Sequence, residues 1–269
     1  SGVRTRQLPG VSPLVFSRFL LEKTAFLSLS DMGKALPSYE EIPIACRMDE
    51  AVQSEYKRIE NALVRVLRSD RRAAQKILSA YLNLLTVYPD QPYDQKPILY
   101  PDSDVPIVEP ENIGDADCLG EKELRTLEIV KAAIQNGERA LIYTSWVRTD
   151  SQQKLKKLLA DEGYRTEILT DKIKTTDRED WVQKKLAAGM QVLIVNPSLV
   201  ETGLDLNAFT TLVFYSMGYK LFTLRQASRR SWRINQKAPA VAEAGASTRK
   251  RLRSRSICST TRTPCSRNA

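Results

Sequence analysis

Gln191-Val192-Leu193-Ile194-Val195 is the most apolar run that the sequence offers as a strand. Its four consecutive aliphatic residues lack the polar alternation of a strand with one face in water, so both faces are predicted to be buried. Strands of this kind belong to parallel sheets that carry helices on both sides. The run therefore predicts an α/β fold built on a parallel sheet.

The segments around this run repeat the alternation of helix and strand from Glu121 to about Gln236. Apolar runs predict three more strands, and amphipathic stretches between the strands predict helices that end at glycines. The additional strands are predicted at 140–146, 164–169 and 210–215, and the helices end at Gly137, Gly163 and Gly189.

The chain before Glu121 has a different pattern. Asp49 is predicted to cap one helix, and a second helix follows at about 70–87. Prolines between residues 36 and 44 imply extended chain or turns there, and six prolines between residues 89 and 110 indicate a linker. Four segments are therefore predicted: a mainly helical segment at 1–88, a Pro-rich linker at 89–120, the α/β domain at 121–238, and a basic low-complexity tail, expected to be disordered, at 239–269.

Composition excludes several classes of function. No apolar run approaches the length that spans a bilayer and the first residues lack a signal-peptide pattern, so an intracellular protein without a membrane partner is expected. The four cysteines are not closely paired and the chain has no histidine. These features argue against a disulfide scaffold, a zinc site or a histidine-based triad, and no metal ligand is predicted.

The formal charge of +9 suggests a polyanionic partner. Residues 239–269, however, hold seven basic side chains and one carboxylate, so the other 238 residues carry about +3. The tail has two open interpretations: a disordered arm that binds nucleic acid, or translation in a shifted reading frame, which gives a similar Ser/Arg-rich texture.

Ligands of open parallel sheets collect at the carboxyl ends of the strands. Ser145 follows the first predicted strand, and Thr202, Gly203 and Asp205 follow the strand at 191–195. Gly203 allows close approach of backbone to a ligand, Thr202 offers a hydroxyl and an amide suited to phosphate, and Asp205 can accept from a ribose hydroxyl or hold an arginine.

The last such segment is Gln226-Ala227-Ser228-Arg229-Arg230-Ser231-Trp232-Arg233-Ile234-Asn235-Gln236. Arg230 and Arg233 lie three residues apart, so in a helix they share one face and can reach the same phosphate. A planar, permanently charged guanidinium suits the charge that spreads over a phosphoryl group in transit. By itself the stretch also fits a solvated basic helix.

Together these segments resemble three motifs of superfamily 2 helicases. Within that superfamily, the likeness is closest to the Swi/Snf-type DNA translocases. Residues 141–146 resemble motif IV, residues 192–206 motif V, and residues 226–236 motif VI. The family form of motif VI is Gln-Ala-x-Gly-Arg-x-x-Arg-x-Gly-Gln. Arg229 and Asn235 replace its two glycines and Trp232 its usual histidine, whereas both finger arginines are present. The resemblance extends more faintly upstream of these motifs, and in total it covers roughly residues 30 to 238.

The resemblance implies a RecA-like C-terminal lobe of a two-lobe motor, with ATP and Mg²⁺ held between the lobes. Arg230 and Arg233 would reach the ATP phosphates, Gln226, Gly203 and Asp205 would line the cleft, and Ser145 and Thr202 would contact nucleic-acid backbone. The implied partners are DNA, or RNA, and the first helicase lobe, which supplies the phosphate loop and the magnesium carboxylates.

The sequence contains no phosphate loop of the form Gly-x-x-x-x-Gly-Lys-[Ser/Thr]. Gly33-Lys34 imitates its end, but Ser28 replaces the first glycine and Ala35 the final hydroxyl residue. Neither ATP nor Mg²⁺ is therefore expected to bind tightly to this chain alone, and the chain is expected to be the C-terminal part of a longer motor. Two alternatives stay open: a nucleic-acid-binding module that ignores nucleotides, and a nucleotide-dependent enzyme on a Rossmann-like sheet, which the absence of Gly-x-Gly-x-x-Gly disfavours.

We predict that this chain alone hydrolyses ATP negligibly, because no lysine is positioned by a phosphate loop on the β- and γ-phosphates. The measurement is an ATPase assay with duplex DNA present and an intact two-lobe motor as the positive control. Turnover comparable to that of the intact motor would contradict the prediction.

Overall fold

The computed structural model describes residues 12–25, 39–145, 150–200, 204–218 and 227, together with the backbone of 240–245. The chain divides into two compact units, Ser1–Leu36 and Pro37–Ala269. The described part of the first unit consists of successive helical turns with exposed apolar side chains, among them Leu14 and Phe19. These turns are α1 (Pro13–Val15), a π turn (Phe16–Leu20) and a 3₁₀ turn (Leu21–Lys23).

The second unit contains a parallel sheet of six strands. The strands are β1 (Tyr39–Ile44), β4 (Ala140–Thr144), β5 (Thr166–Leu169), β6 (Val192–Val195), β7 (Thr211–Ser216) and β8 (Ala240–Gly245). Their order across the sheet is β1-β8-β7-β4-β6-β5. The α/β fold with a parallel sheet is confirmed, and β4, β5, β6 and β7 lie where the apolar runs predicted them.

The sheet is wider than the sequence predicted. The sequence predicts a disordered tail at 239–269, whereas the structure places β8 between β7 and β1. The run consists of small residues apart from Val241 and Glu243, and lacks the large aliphatic side chains that identify a buried strand. Backbone pairing on both sides defines it instead. Pro43 fits because β1 is an edge strand, where a missing N–H is tolerated.

Helices cover both faces of the sheet, as predicted. They are α4 (Glu121–Gln135), α5 (Ser151–Asp161) and α6 (Arg178–Ala187). Along β4, side chains alternate between two cores. Leu141 and Tyr143 join the core that α6 covers, whereas Ala140 and Ile142 join the core that α4 and α5 cover. All four β4 residues are fully buried, so this strand lies at the centre of both cores.

The segment before α4 has a core of its own. The two helices that the sequence predicted are α2 (Glu50–Ser69) and α3 (Arg71–Val87), and they pack against each other as a hairpin. Against it packs a two-stranded sheet of β2 (Ile98–Leu99) and β3 (Pro106–Val108), which the Pro-rich composition did not predict. The predicted domain boundaries stay predictions.

The Glu55 carboxylate ties α2 to the loop after β3. It is buried, accepts two 2.6 Å hydrogen bonds from the Arg58 guanidinium and a 2.9 Å bond from the backbone N–H of Glu111. Burial by itself raises the pKa of Glu55, but these bonds and the Arg58 charge outweigh it and lower the pKa below the ordinary 4.5.

Two sequence expectations concern membranes and thiols. Within the described ranges, no helix has both the length and the apolarity needed to cross a membrane. Cys46 is a free thiol, whereas Cys118 is disulfide-bonded, which the spacing of the cysteines did not predict.

We predict that Glu55→Gln lowers the free energy of unfolding by about 2 kcal/mol near neutral pH, because it removes charge-assisted hydrogen bonds from a buried site. The lowered pKa stabilises the fold above the unfolded-state pKa, and that contribution disappears as pH falls through the folded-state pKa. The difference between variant and wild type should therefore shrink as the pH falls through the lowered pKa of Glu55. Urea unfolding at several pH values measures it.

Glu128→Gln is the matched control, since Glu128 also pairs with an arginine three residues away, at 2.8 Å, but is exposed. Exposed pairs contribute about 0 to 1 kcal/mol. An equal loss in both variants, or a loss at Glu55 that does not change with pH, would refute the assigned role of Glu55.

Candidate functional site

The carboxyl ends of β4, β6 and β7 meet in a cluster of polar groups. Ser145 follows β4, Asn196 follows β6, and Ser216 ends β7. The backbone N–H of Ser145 donates to the Ser216 hydroxyl at 2.8 Å, and the Ser145 hydroxyl donates to the Ser216 carbonyl at 2.9 Å. The Asn196 amide donates to the Ser145 carbonyl at 3.1 Å. Three strand ends are thereby fixed to one another.

Ser145 therefore lies at the predicted edge, but its hydroxyl proton is already engaged. The oxygen retains acceptor capacity, whereas donation to a phosphate oxygen requires release of the Ser216 carbonyl. Ser145 is half-buried, so its hydroxyl is not fully covered. Its contact with nucleic acid stays a prediction.

Asp205 lies in the turn between β6 and β7. One carboxylate oxygen accepts from the backbone N–H of Asn207 at 3.0 Å, which forms an Asx turn. Leu204 and Leu206 on either side are buried in the core beneath the sheet. Asp205 itself is half-buried. Its carboxylate is therefore partly exposed, while the buried side chains of Leu204 and Leu206 fix the backbone on either side.

Ala227 anchors the beginning of the predicted arginine stretch. It is helical, 2% exposed, and part of the same core as Leu204 and Leu206. Its carbonyl accepts a 3.1 Å hydrogen bond from the Tyr143 hydroxyl, and the Tyr143 ring stacks on Phe214 at 5.0 Å between centroids. Ala227 thus lies in the core beside the carboxyl half of β4.

The other predicted site residues fall outside the described part of the chain. They are Thr202, Gly203, Gln226, Arg230 and Arg233. The structure therefore places Ser145 at the carboxyl edge, Asp205 in the turn between β6 and β7, and Ala227 in the core next to Tyr143, while the roles assigned to all seven site residues stay predictions.

A second polar cluster was not predicted. Glu123 and Lys154 form a buried ion pair at 3.0 Å, and the Tyr215 hydroxyl donates to the same Glu123 oxygen at 2.8 Å. Lys122 pairs with buried Asp90 at 2.5 Å and lies 4.3 Å from the centre of the Tyr215 ring. Burial raises the pKa of Tyr215, and the nearby Glu123 charge adds to the effect.

These groups line a cavity of about 550 Å³ between the start of α2, the start of α4 and the end of β7. One residue of the cluster could have been identified from the sequence as a helix-capping glutamate. Glu123 is the third residue of α4 and accepts a 3.0 Å hydrogen bond from the Gly120 N–H. The pairing of Lys122 with Asp90, 32 residues earlier, depends on tertiary contact and had no sequence signal.

No nucleotide or metal site is complete within the described residues. The hydroxyl and amide groups at the edge hydrogen-bond to one another, and no group of three Cys, Asp or Glu side chains in those ranges could hold a metal ion. This portion of the chain does not by itself fit ATP and Mg²⁺.

Comparison with known families gives one match, within the α/β domain. Residues 122–235 match the helicase conserved C-terminal domain. This part of the chain is therefore similar to a helicase C-terminal domain. The match begins at the start of α4 and continues past Arg230 and Arg233, so the resemblance stated from the sequence is confirmed.

Solved structures share the fold of this helicase lobe. The C-terminal part of the Fun30 ATPase domain aligns with a TM-score of 0.59 at 12% identity, over 78% of this chain and 85% of that one. The Sulfolobus solfataricus SWI2/SNF2 ATPase C-terminal domain aligns with a TM-score of 0.53 at 15% identity, over 77% and 78%.

The S. solfataricus SWI2/SNF2 ATPase core in complex with dsDNA aligns with a TM-score of 0.58 at 19% identity, over 78% of this chain. The aligned region spans 41% of that core. No curated protein matches the chain in sequence.

We predict that Tyr143→Phe lowers the free energy of unfolding of the helicase lobe by about 1 kcal/mol, because the substitution deletes only the hydroxyl that holds the Ala227 carbonyl. Tyr100→Phe is the control, since Tyr100 is 38% exposed. Denaturant unfolding of both variants tests the hydrogen bond. Equal stability of Tyr143→Phe and the wild type would show that this bond does not anchor the stretch.

Proposed function

We propose that this chain is the C-terminal part of an ATP-dependent DNA translocase or helicase. In this proposal its lobe supplies arginine fingers to ATP bound between two lobes and forms half of the nucleic-acid track. The observation that carries the proposal is that the stretch with both arginines belongs to the matched residues 122–235 and includes Ala227, which is buried and hydrogen-bonded to Tyr143.

Arg230 and Arg233 act on the phosphates. When ATP is bound, it supplies the phosphoryl group whose transfer spreads negative charge over several oxygens. Two guanidinium groups three residues apart in the sequence offer planar, permanent positive charge to those oxygens. Gln226, Gly203 and Asp205 line the same cleft, where Asp205 orients an arginine or accepts from a ribose hydroxyl.

Ser145 and Thr202 contact the nucleic-acid backbone. Their hydroxyl groups suit phosphate and sugar oxygens, so the contact does not depend on base sequence. DNA is favoured as the track because a structural neighbour is a core in complex with dsDNA. RNA is the alternative that a binding comparison would reveal.

A first helicase lobe is the required partner in this proposal. It provides the phosphate loop and the magnesium carboxylates that the 269 residues do not contain. ATP and Mg²⁺ therefore bind to the two lobes together.

We expect Arg230→Ala and Arg233→Ala each to lower DNA-stimulated ATP turnover by roughly 10³-fold or more, the effect of losing an arginine finger. The lobe is assayed in a fusion behind the first lobe of the S. solfataricus SWI2/SNF2 core, with the intact core as positive control. Arg139→Ala is the matched control, because Arg139 is exposed and precedes β4 at the opposite edge.

Turnover that survives both finger substitutions would refute the arginine-finger role. A wild-type fusion that binds DNA but shows no turnover, while the intact core is active, would favour the nucleotide-independent binding module. In that case DNA affinity falls with salt and does not change when ATP is added.

A further inference from the structure

A group of exposed arginines lies where α2 ends and α3 begins. Arg65 and Arg68 are on the last turns of α2, and Arg71 and Arg72 begin α3. All four are exposed, and none forms an ion pair with any residue in the described ranges. Lys76, one turn further along α3, pairs with Asp102 at 2.9 Å. We call residues 65–76 the hairpin corner.

The charge of the hairpin corner contrasts with that of its surroundings. It holds five basic residues and one acidic residue, whereas the rest of 39–145 holds eight basic and eighteen acidic residues. The one acidic residue, Asp70, already accepts from the backbone N–H groups of Arg72 and Ala73 at 3.0 and 2.9 Å. The corner is therefore a concentrated positive patch on a segment that is otherwise acidic.

The hairpin core holds this patch in a fixed shape. Val66, Ala73, Ala74 and Ile77 alternate with the basic residues and are buried between the two helices. The packed helices therefore fix the backbone from which the arginine side chains project. The arginines themselves are exposed and do not contribute to this core. Arg71 and Arg72 in the first turn of α3 also oppose the helix dipole, which favours anions at that end.

We propose that the hairpin corner binds the phosphate backbone of duplex nucleic acid, as a contact surface separate from the carboxyl edge of the sheet. Arginine presents a planar fork to phosphate oxygens, and several exposed arginines close together in the chain suit a regular row of phosphates. An acidic protein is the less favoured partner, because protein interfaces centre on buried apolar area. Leu67 is the one large apolar side chain exposed within 65–76.

This surface lies outside the matched residues 122–235. It does not depend on arginine fingers, on ATP or on a second lobe. The proposal therefore goes beyond the proposed function, and its test uses binding in the absence of nucleotide.

The test compares three variants of the full chain by fluorescence anisotropy with a mixed-sequence DNA duplex across a salt series. The first replaces Arg68, Arg71 and Arg72 with alanine, and the second replaces the same residues with lysine. The control replaces Lys131, Arg139 and Lys184 with alanine. These three are exposed, form no ion pair in the described ranges, and lie near the amino edge of the sheet.

The alanine variant of the corner should bind more weakly, and its slope of log K against log salt should be shallower by about 2 to 3, since each duplex phosphate contact contributes about 0.9. The lysine variant should keep most of the slope, and the control should match wild type. Because the basic tail is present in every variant, its contribution cancels in the comparison.

Equal slopes for wild type and the alanine variant of the corner, with both folded by circular dichroism, would overturn the proposal. An equal loss in the control variant would also overturn it, because the effect would then follow total charge rather than position. Binding of polyglutamate in preference to the duplex, abolished by the corner substitutions, would assign the surface to an acidic protein instead.

Discussion

Burial of β4 on both faces is the constraint on which the rest of this lobe depends. A strand that is buried on both faces needs helices on both faces of the sheet, and it occupies a central position with a paired strand on each side. In this lobe β4 lies between β6 and β7, and its residues alternate between two cores. Large-to-small substitutions in such a strand remove contacts from a core on which several helices rest.

The same constraint positions the functional edge. Because β4, β6 and β7 are parallel, their carboxyl ends meet at one side, and Ser145, Asn196 and Ser216 come into hydrogen-bond contact there. Tyr143 connects this edge to the core, since its ring is buried and its hydroxyl reaches Ala227. The attachment point of the arginine stretch is therefore set by the central strand.

The elements that could be predicted from sequence were those with strong local patterns. The aliphatic runs at 140–144 and 192–195 and the amphipathic helices identified themselves by periodicity and by glycines at helix ends. β8 could not be predicted, because its small residues have no apolar signature and its identity comes from pairing with β7 and β1. Strand order and the ion pair of Lys122 with Asp90 depend on tertiary contact and leave no mark in the sequence.

The charge of the molecule shows the same limit. In the sequence, most of the net positive charge lies in residues 239–269. The arginines of the hairpin corner belong to two predicted helices, where their charge has no evident role. Their number is visible in the sequence, but their exposure and the absence of ion pairs within the described ranges are not. Burial of the intervening Val66 and Ala73 leaves a surface patch on which basic side chains predominate.

The polar groups at the carboxyl edge hydrogen-bond to one another, and this arrangement is compatible with ligand binding there. A neutral hydrogen bond such as that from the Ser145 hydroxyl to the Ser216 carbonyl contributes about 1 kcal/mol net. A hydrogen bond to a charged phosphate is roughly twice as strong. Donation from the Ser145 hydroxyl to a phosphate oxygen is therefore more favourable than donation to the Ser216 carbonyl, provided that water or another donor then hydrogen-bonds to that carbonyl. The edge can thus stay rigid without a ligand and still release a donor when a phosphate arrives.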